Sequence, residues 1–179
     1  MSVLAAARLS RSQRTAIRRW KLGHHTFHVL LVGMNTRLHE VADQLEEEEW
    51  EAASAAMLDL ARLYDAATAA MRYTSDFPRI EYERLLRPSM MPPFASPGFS
   101  GVFNREHAVM MAGVRQIRAF MKDREEDDVP EHVVRAWERL REAQQTNVDH
   151  HMLVCRKFVD DGVSLLKEFF DQRKEAEGE

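Results

Sequence analysis

The feature that most constrains this chain is the spacing of its apolar residues, which recur every three or four positions over long stretches. One series is Phe27, Leu31, Met34, Leu38, Val41 and Leu45, and others run from Trp50 to Met71, Phe103 to Met121 and Trp137 to Phe169. This spacing places apolar side chains along one face of an α-helix. Four long helices joined by short connections indicate an all-α helical bundle.

Chain length and composition favour one helical domain over residues 1–179. With 45% hydrophobic and 30% charged residues, the chain can bury a sizeable core and keep a solvated surface. Prolines and glycines are concentrated between Arg87 and Gly101, where they disfavour regular structure. We therefore predict one substantial Pro/Gly-rich loop, between the second and third helices.

Charge and cysteine content exclude several classes of function. The formal net charge is −4 and no basic face is evident, which argues against nucleic-acid binding. No apolar run approaches the roughly 20 residues that span a bilayer. The single cysteine, Cys155, cannot form an intrachain disulfide, so a reducing compartment is expected. These features predict a cytoplasmic protein that binds neither nucleic acid nor membrane.

The histidines carry the strongest chemical signal. Helical phase places His24, His107 and His151 on apolar faces and His28 at the edge of one, whereas His150 is predicted to face water. Each buried histidine could be an ordinary hydrogen-bonded core residue. Several imidazoles in one core, however, leave many ring nitrogens in need of partners, and a bound metal centre provides them. The pattern favours a metal centre inside the bundle.

Cys155 follows His151 by four residues, so both side chains lie on one helical face about 6 Å apart along the axis. A free cysteine there can be a small buried hydrophobe. Alternatively, if His151 ligates a haem iron, the thiol can reach a vinyl group of the porphyrin. The C-x-x-C-H attachment signature is absent. Any covalent link would therefore be a single thioether.

Three segments together resemble the tryptophan 2,3-dioxygenase superfamily, the histidine-ligated haem aromatic oxygenases. They are the stretch HHTFHVL at residues 24–30, the stretch from Asp76-Phe77 to SPGFSGVFNR at residues 96–105, and His151-Met152. The resemblance implies that His24 lies on the distal side of a haem and that His151 is the proximal iron ligand. It also implies that Arg105 holds a substrate carboxylate, for which a permanently charged planar guanidinium is well suited.

A branch of that superfamily that hydroxylates tyrosine-like rings carries an H-x-x-x-C motif with haem attached through the cysteine. The stretch from His151 to Cys155, HMLVC, is similar to it. The resemblance also implies a homo-oligomer, because N-terminal segments in the superfamily often complete a neighbour's active site. His107 is either a sixth iron ligand or a base on the substrate side.

We therefore predict a haem-dependent oxygenase or hydroxylase that inserts oxygen from O₂ or peroxide into an aromatic amino acid or a related aromatic carboxylate. One alternative is a non-haem metal bundle of the di-iron type, built from His24, His28, His107 and His151 with carboxylates such as Glu106. No Glu-x-x-His pair occurs in the chain, which argues against it. The other alternative is a haem-binding module without turnover.

Overall fold

The computed structural model describes residues 9–95, 104–124 and 128–159. The helices in chain order are α1 (Arg11–Glu46), α2 (Trp50–Ser75), α3 (Arg79–Glu81), α4 (Arg87–Ser89), α5 (Arg105–Asp123) and α6 (Glu131–Phe158). A π-helical segment, Tyr82–Leu86, joins α3 to α4 without a break. Only helices, turns and bends occur among these residues, so the all-α prediction is confirmed.

The prediction of four long helices is incomplete, because residues 79–89 form a fifth helical stretch. This stretch is too short for a three-to-four-residue spacing to be recognised, and its Pro88 suggested a loop. It reaches Ser89, past the predicted start of the loop at Arg87. The loop is described only as far as Ala95, and the end of the fourth apolar series, Leu165 and Phe169, lies outside the described residues.

Local signals account for where the long helices begin. At α1 the Ser10 Oγ accepts a hydrogen bond from the Gln13 N–H at 3.1 Å, and the Gln13 side chain accepts one from the Ser10 N–H at 2.9 Å. This reciprocal capping box satisfies two donors that a helix start otherwise leaves unpaired. At α5 the Asn104 side chain accepts from the Glu106 N–H at 2.9 Å. Pro130 precedes α6 as its N-cap.

The long helices pack as a central pair with one further helix on each member. α1 and α2 form an antiparallel hairpin; α5 packs on α1, and α6 packs on α2. Hydrogen bonds from Asn35 to Glu106 and from Gln116 to Glu46 show that α5 runs parallel to α1. Within the described ranges α5 and α6 make no extensive contact with each other. Because Asn35 lies beside the first turn of α5, the N-terminal half of α1 extends beyond the start of α5.

A second, smaller core lies at the end of the bundle where α2 finishes. Its buried residues are Ala16, Phe77, Tyr82, Leu86, Met90 and Phe158. The Phe158 ring stacks on Phe77 and on Tyr82, with centroid distances of 5.0 and 4.8 Å. The stretch 79–89 thus ties the end of α6 to the start of α1. No helix in the described part of the chain is long and apolar enough to cross a membrane.

At Gly23, helix α1 passes very close to Thr74 of α2. A Cβ at this position would lie 1.7 Å from Thr74 Oγ1, 2.7 Å from Thr74 Cβ and 3.0 Å from Thr74 Cα. We expect Gly23→Ala to lower the free energy of unfolding by about 1–3 kcal/mol, because the helices must separate to relieve the overlap. Denaturant unfolding with circular dichroism measures this change.

Gly33→Ala is the matched control, because its added Cβ would meet only Leu63, at 3.8 and 4.0 Å. At this site the better helix propensity of alanine, up to about 1 kcal/mol, should maintain or raise stability. If both variants unfold at the same denaturant concentration, the close approach at Gly23 is not a determinant of the packing.

Candidate active site

His151 and Cys155 lie together on the last two turns of α6. The Cys155 Sγ is 3.9 Å from each of the His151 ring nitrogens Nδ1 and Nε2. The same face of α6 leaves Val148 and Met152 uncovered, with 55% and 49% of their surfaces exposed. This face of α6 therefore combines exposed apolar side chains with a histidine and a thiol, and it is open to a ligand.

The orientation predicted for the two adjacent histidines is wrong for the described residues. His151, expected to face the core, is exposed, and His150, expected to face water, is the more covered of the two. The His150 Nε2 atom is buried and has no hydrogen-bond partner in this part of the structure. The reason is that, among the described residues, α6 packs mainly on α2, so its covered face turns away from the face that carries His151 and Cys155.

His107 of α5 influences His151 across the gap between the two helices. Although His151 is exposed at its surface, the protein atoms around its ring partly desolvate it and lower its pKa, and the charge of His107 lowers the pKa further. A histidine with a lowered pKa is neutral at neutral pH and presents a lone pair, as metal ligation requires. Of the predicted residues, the structure brings His151 and Cys155 into contact, whereas His107 acts on His151 only through its charge.

His24 projects from α1 on the same helical face as Asn35, toward the space beyond the start of α5. Its Nδ1 lies 2.7 Å from the Trp20 carbonyl oxygen, and the centroids of the His24 and Trp20 rings are 4.3 Å apart. A carbonyl can only accept, so Nδ1 donates and Nε2 carries the lone pair. Burial lowers the pKa of His24, with a smaller opposing effect of the Trp20 hydrogen bond. The ring is held as a neutral base of fixed orientation.

Arg105 is the first residue of α5 and is exposed. Two residues on a helix differ in direction by about 200°, so Arg105 and His107 point to nearly opposite sides of α5. Long side chains lean toward the N-terminus of their helix, which directs Arg105 toward the end of the bundle that contains His24. The structure does not place Arg105 beside His107 and His151.

A cleft of about 610 Å³ separates α5 from α6. It is lined by Arg118, Glu138, Arg141, Glu142, Gln144, Gln145 and Val148. Val148 lies one turn before His151, so the cleft leads toward the His151 and Cys155 face. The sequence interpretation missed the polar part of this cleft, because exposed charges on a helix are indistinguishable from an ordinary solvated face without the neighbouring helix.

The His, Cys, Asp and Glu side chains of the described residues differ in how well they suit the two predicted kinds of metal centre. No three His, Cys, Asp or Glu side chains come together among the described residues in a group that could hold a metal ion. The non-haem centre of His24, His28, His107 and His151 with Glu106 is therefore not assembled there. Haem needs only one or two protein ligands, because the porphyrin supplies the other four. A neutral His151 with a thiol on the same face fits haem.

Comparisons with known proteins agree on one family. A family model described as SfmD 3-methyl-L-tyrosine peroxygenase matches residues 4–136. A 3-methyl-L-tyrosine peroxygenase from Streptomyces lavendulae is 30% identical over 149 residues, which are 82% of this chain and 39% of that protein. The chain thus spans about two fifths of the length of this relative. No solved structure matches the chain.

These findings overturn the family suggested by the short motifs. The resemblance to the tryptophan 2,3-dioxygenase superfamily, including its haem-attached tyrosine-hydroxylase branch, is wrong, because both matches are to 3-methyl-L-tyrosine peroxygenases, a different family. The three motifs consist of a few residues each, and such short stretches recur in unrelated helical proteins. The roles of His24, Arg105, His107, His151 and Cys155 must therefore stand on their chemistry and positions in this chain.

Proposed function

The chain belongs to the SfmD 3-methyl-L-tyrosine peroxygenase family, and from this premise we propose that it is a haem-dependent oxygenase acting on an aromatic amino acid of the tyrosine type. The relative's name indicates an oxygen-inserting enzyme that uses peroxide. The observation that supports the haem assignment is the contact between His151 and Cys155 on one exposed face of α6. This face would provide an iron ligand and an attachment point for the porphyrin.

In this proposal His151 ligates the iron and Cys155 bonds to the porphyrin edge. The haem supplies the oxidising chemistry, and the protein supplies its ligand, its orientation and the binding of substrate. His107 approaches from α5, either as the sixth ligand or as a base toward the substrate. The exposed Val148 and Met152 side chains offer apolar contact to a porphyrin face.

His24 is proposed as the group that accepts a proton from the substrate phenol. Its Nδ1–H is engaged by the Trp20 carbonyl, so the basic nitrogen is Nε2. The lowered pKa of His24 keeps this nitrogen unprotonated at neutral pH. A base in that state is ready to accept a proton during the reaction.

Arg105 is proposed to bind the carboxylate of the substrate. We expect Arg105→Ala to weaken substrate binding by about 30- to 1000-fold, or about 2–4 kcal/mol, because a charge-assisted bidentate contact is lost. Titration of L-tyrosine into haem-loaded protein, followed by the Soret band or by calorimetry, measures the effect.

The matched control is Arg118→Ala, which removes another exposed arginine from the same helix, within the cleft. A large loss of affinity in the Arg118 variant and none in the Arg105 variant would transfer the carboxylate contact from the start of α5 to the cleft between α5 and α6.

An absorption spectrum of the purified protein tests the proposed function as a whole. A Soret band is expected, together with its shift on adding L-tyrosine and formation of an oxygenated product on adding peroxide. A protein without a Soret band after haem reconstitution contradicts haem dependence. A Soret band that neither shifts nor supports turnover selects the haem-binding module without catalysis. The homo-oligomer stays a prediction, which size-exclusion chromatography with light scattering can check.

A further inference from the structure

We infer that Asn35 is a positioning residue that fixes the start of α5, and with it Arg105 and His107, relative to α1. The inference rests on the proposed function, because it assigns Asn35 to the binding of the same substrate. No motif pointed to Asn35, which lies 71 residues before its partner in the chain.

Asn35 is buried, with 7% of its surface exposed, in the α1 face that meets α5. Its Nδ2 group donates to the Glu106 carbonyl oxygen at 3.0 Å and to the Glu106 carboxylate Oε2 at 2.9 Å. The Glu106 N–H donates in turn to the Asn104 side chain at 2.9 Å. One residue of the first turn of α5 is therefore held through its N–H, its carbonyl and its side chain.

These bonds restrain rotation of α5 in a way that the apolar contacts of that helix do not. Further along the helix, Met110, Val114 and Ile117 pack into the core, and such contacts are not directional. Hydrogen bonds require defined angles. The first turn is also where a helix frays most readily, since its N–H groups lack intrahelical partners. Asn35 thus fixes the rotation at the turn that carries Arg105 and His107.

The Asn35 Oδ1 atom supports a role beyond stability. This oxygen is buried and has no hydrogen-bond partner among the described residues. Burial of an unpaired acceptor costs free energy that an apolar residue at the same place would avoid. An amide at position 35 is therefore better explained by the orientation it imposes on Glu106 than by a gain in stability.

The test compares two probes that differ only in the carboxylate, L-tyrosine and tyramine, binding to haem-loaded wild type, Arg105→Ala and Asn35→Ala. We expect Arg105→Ala to lose most of the preference for L-tyrosine. Asn35→Ala should reduce that preference by about 10- to 100-fold, because a displacement of the anchor by about 1 Å has effects of this size. A merely structural role would weaken both probes equally and leave the preference unchanged.

Two further variants keep the test decisive. Glu106→Gln retains a side-chain oxygen that can accept from Asn35, so it should preserve the preference. Glu106→Ala removes one of the two acceptors of Asn35 and should lower the preference, even if Asn35→Ala fails to fold. Gln116→Ala removes another hydrogen bond between α5 and α1, a 3.4 Å contact with Glu46, and should leave the preference intact.

The outcomes separate the inference from its premise. If Arg105→Ala loses the preference while Asn35→Ala and Glu106→Ala keep it, the positioning role of Asn35 is overturned and the carboxylate anchor stands. If Arg105→Ala itself keeps the preference, the proposed anchor fails, and the positioning role fails with it.

Discussion

Replacement of His151 by alanine is expected to abolish stoichiometric haem binding. A haem iron held by one strong protein ligand loses its main anchor when that imidazole is removed, and His151 is the histidine next to the only thiol of the chain. The measurement is the ratio of Soret to protein absorbance, or haem content by the pyridine haemochrome assay, after reconstitution and desalting. A ratio below about one tenth of the wild-type value is expected, because loss of an axial ligand costs several kcal/mol.

His150→Ala is the matched control, because it removes the neighbouring imidazole from the other side of α6. His150 lines a separate pocket with Arg72, Tyr73, Ser75, Asp76 and Lys157. Burial and the charge of Arg72 lower the pKa of His150, so it too is a neutral imidazole at neutral pH. Normal haem content in the His151 variant together with haem loss in the His150 variant would show that the iron lies on the α2 side of α6, and the proposed site would be wrong.

Cys155 is expected to carry the haem covalently through one thioether. The thiol S–H adds across a porphyrin vinyl group, with sulfur bonding to one carbon and the proton to the other, so there is no leaving group. His151 on the same face would hold the iron while Cys155 holds the edge, which suits their 3.9 Å separation. Burial raises the pKa of Cys155, so the thiol is protonated and resists oxidation before haem binds.

Intact mass after denaturation in acid and organic solvent measures this bond, because these conditions strip non-covalent haem. The wild-type chain should retain the mass of one haem, and Cys155→Ser should lose it while still binding haem reversibly through His151. An unmodified mass for haem-loaded wild type would rule out the thioether and return Cys155 to the status of a partly buried thiol, leaving the His151 prediction intact.

The short motifs indicated the wrong family, whereas a match over most of the chain identified the family to which it belongs. The spacing of histidines, prolines and glycines resembled that of tryptophan 2,3-dioxygenases. The match over residues 4–136 instead identifies the 3-methyl-L-tyrosine peroxygenase family. The name of the relative is consistent with the proposal of oxygen insertion into an aromatic amino acid. A few functional residues are weak evidence of family membership, because similar sites occur in unrelated proteins.

The features that depend on neighbours within a few positions could be predicted from the amino-acid sequence. The long helices follow from the apolar spacing, and Pro130 marks the start of α6. The meeting of His151 with Cys155 is also local, because residues four apart on a helix always share a face. None of these features needs a contact between distant parts of the chain.

Which faces of the helices are covered could not be predicted from local patterns, because it depends on how the helices pack. Helical phase predicted that His151 faces the core, but within the described residues α6 packs mainly on α2, so His150 is the more covered of the two and His151 is exposed. The bond from Asn35 to Glu106 joins residues 71 positions apart, and no local pattern encodes it. The physical reason is that a helix with one apolar strip can bury it against a partner helix or leave it for a ligand, and the choice depends on the shape of the rest of the bundle.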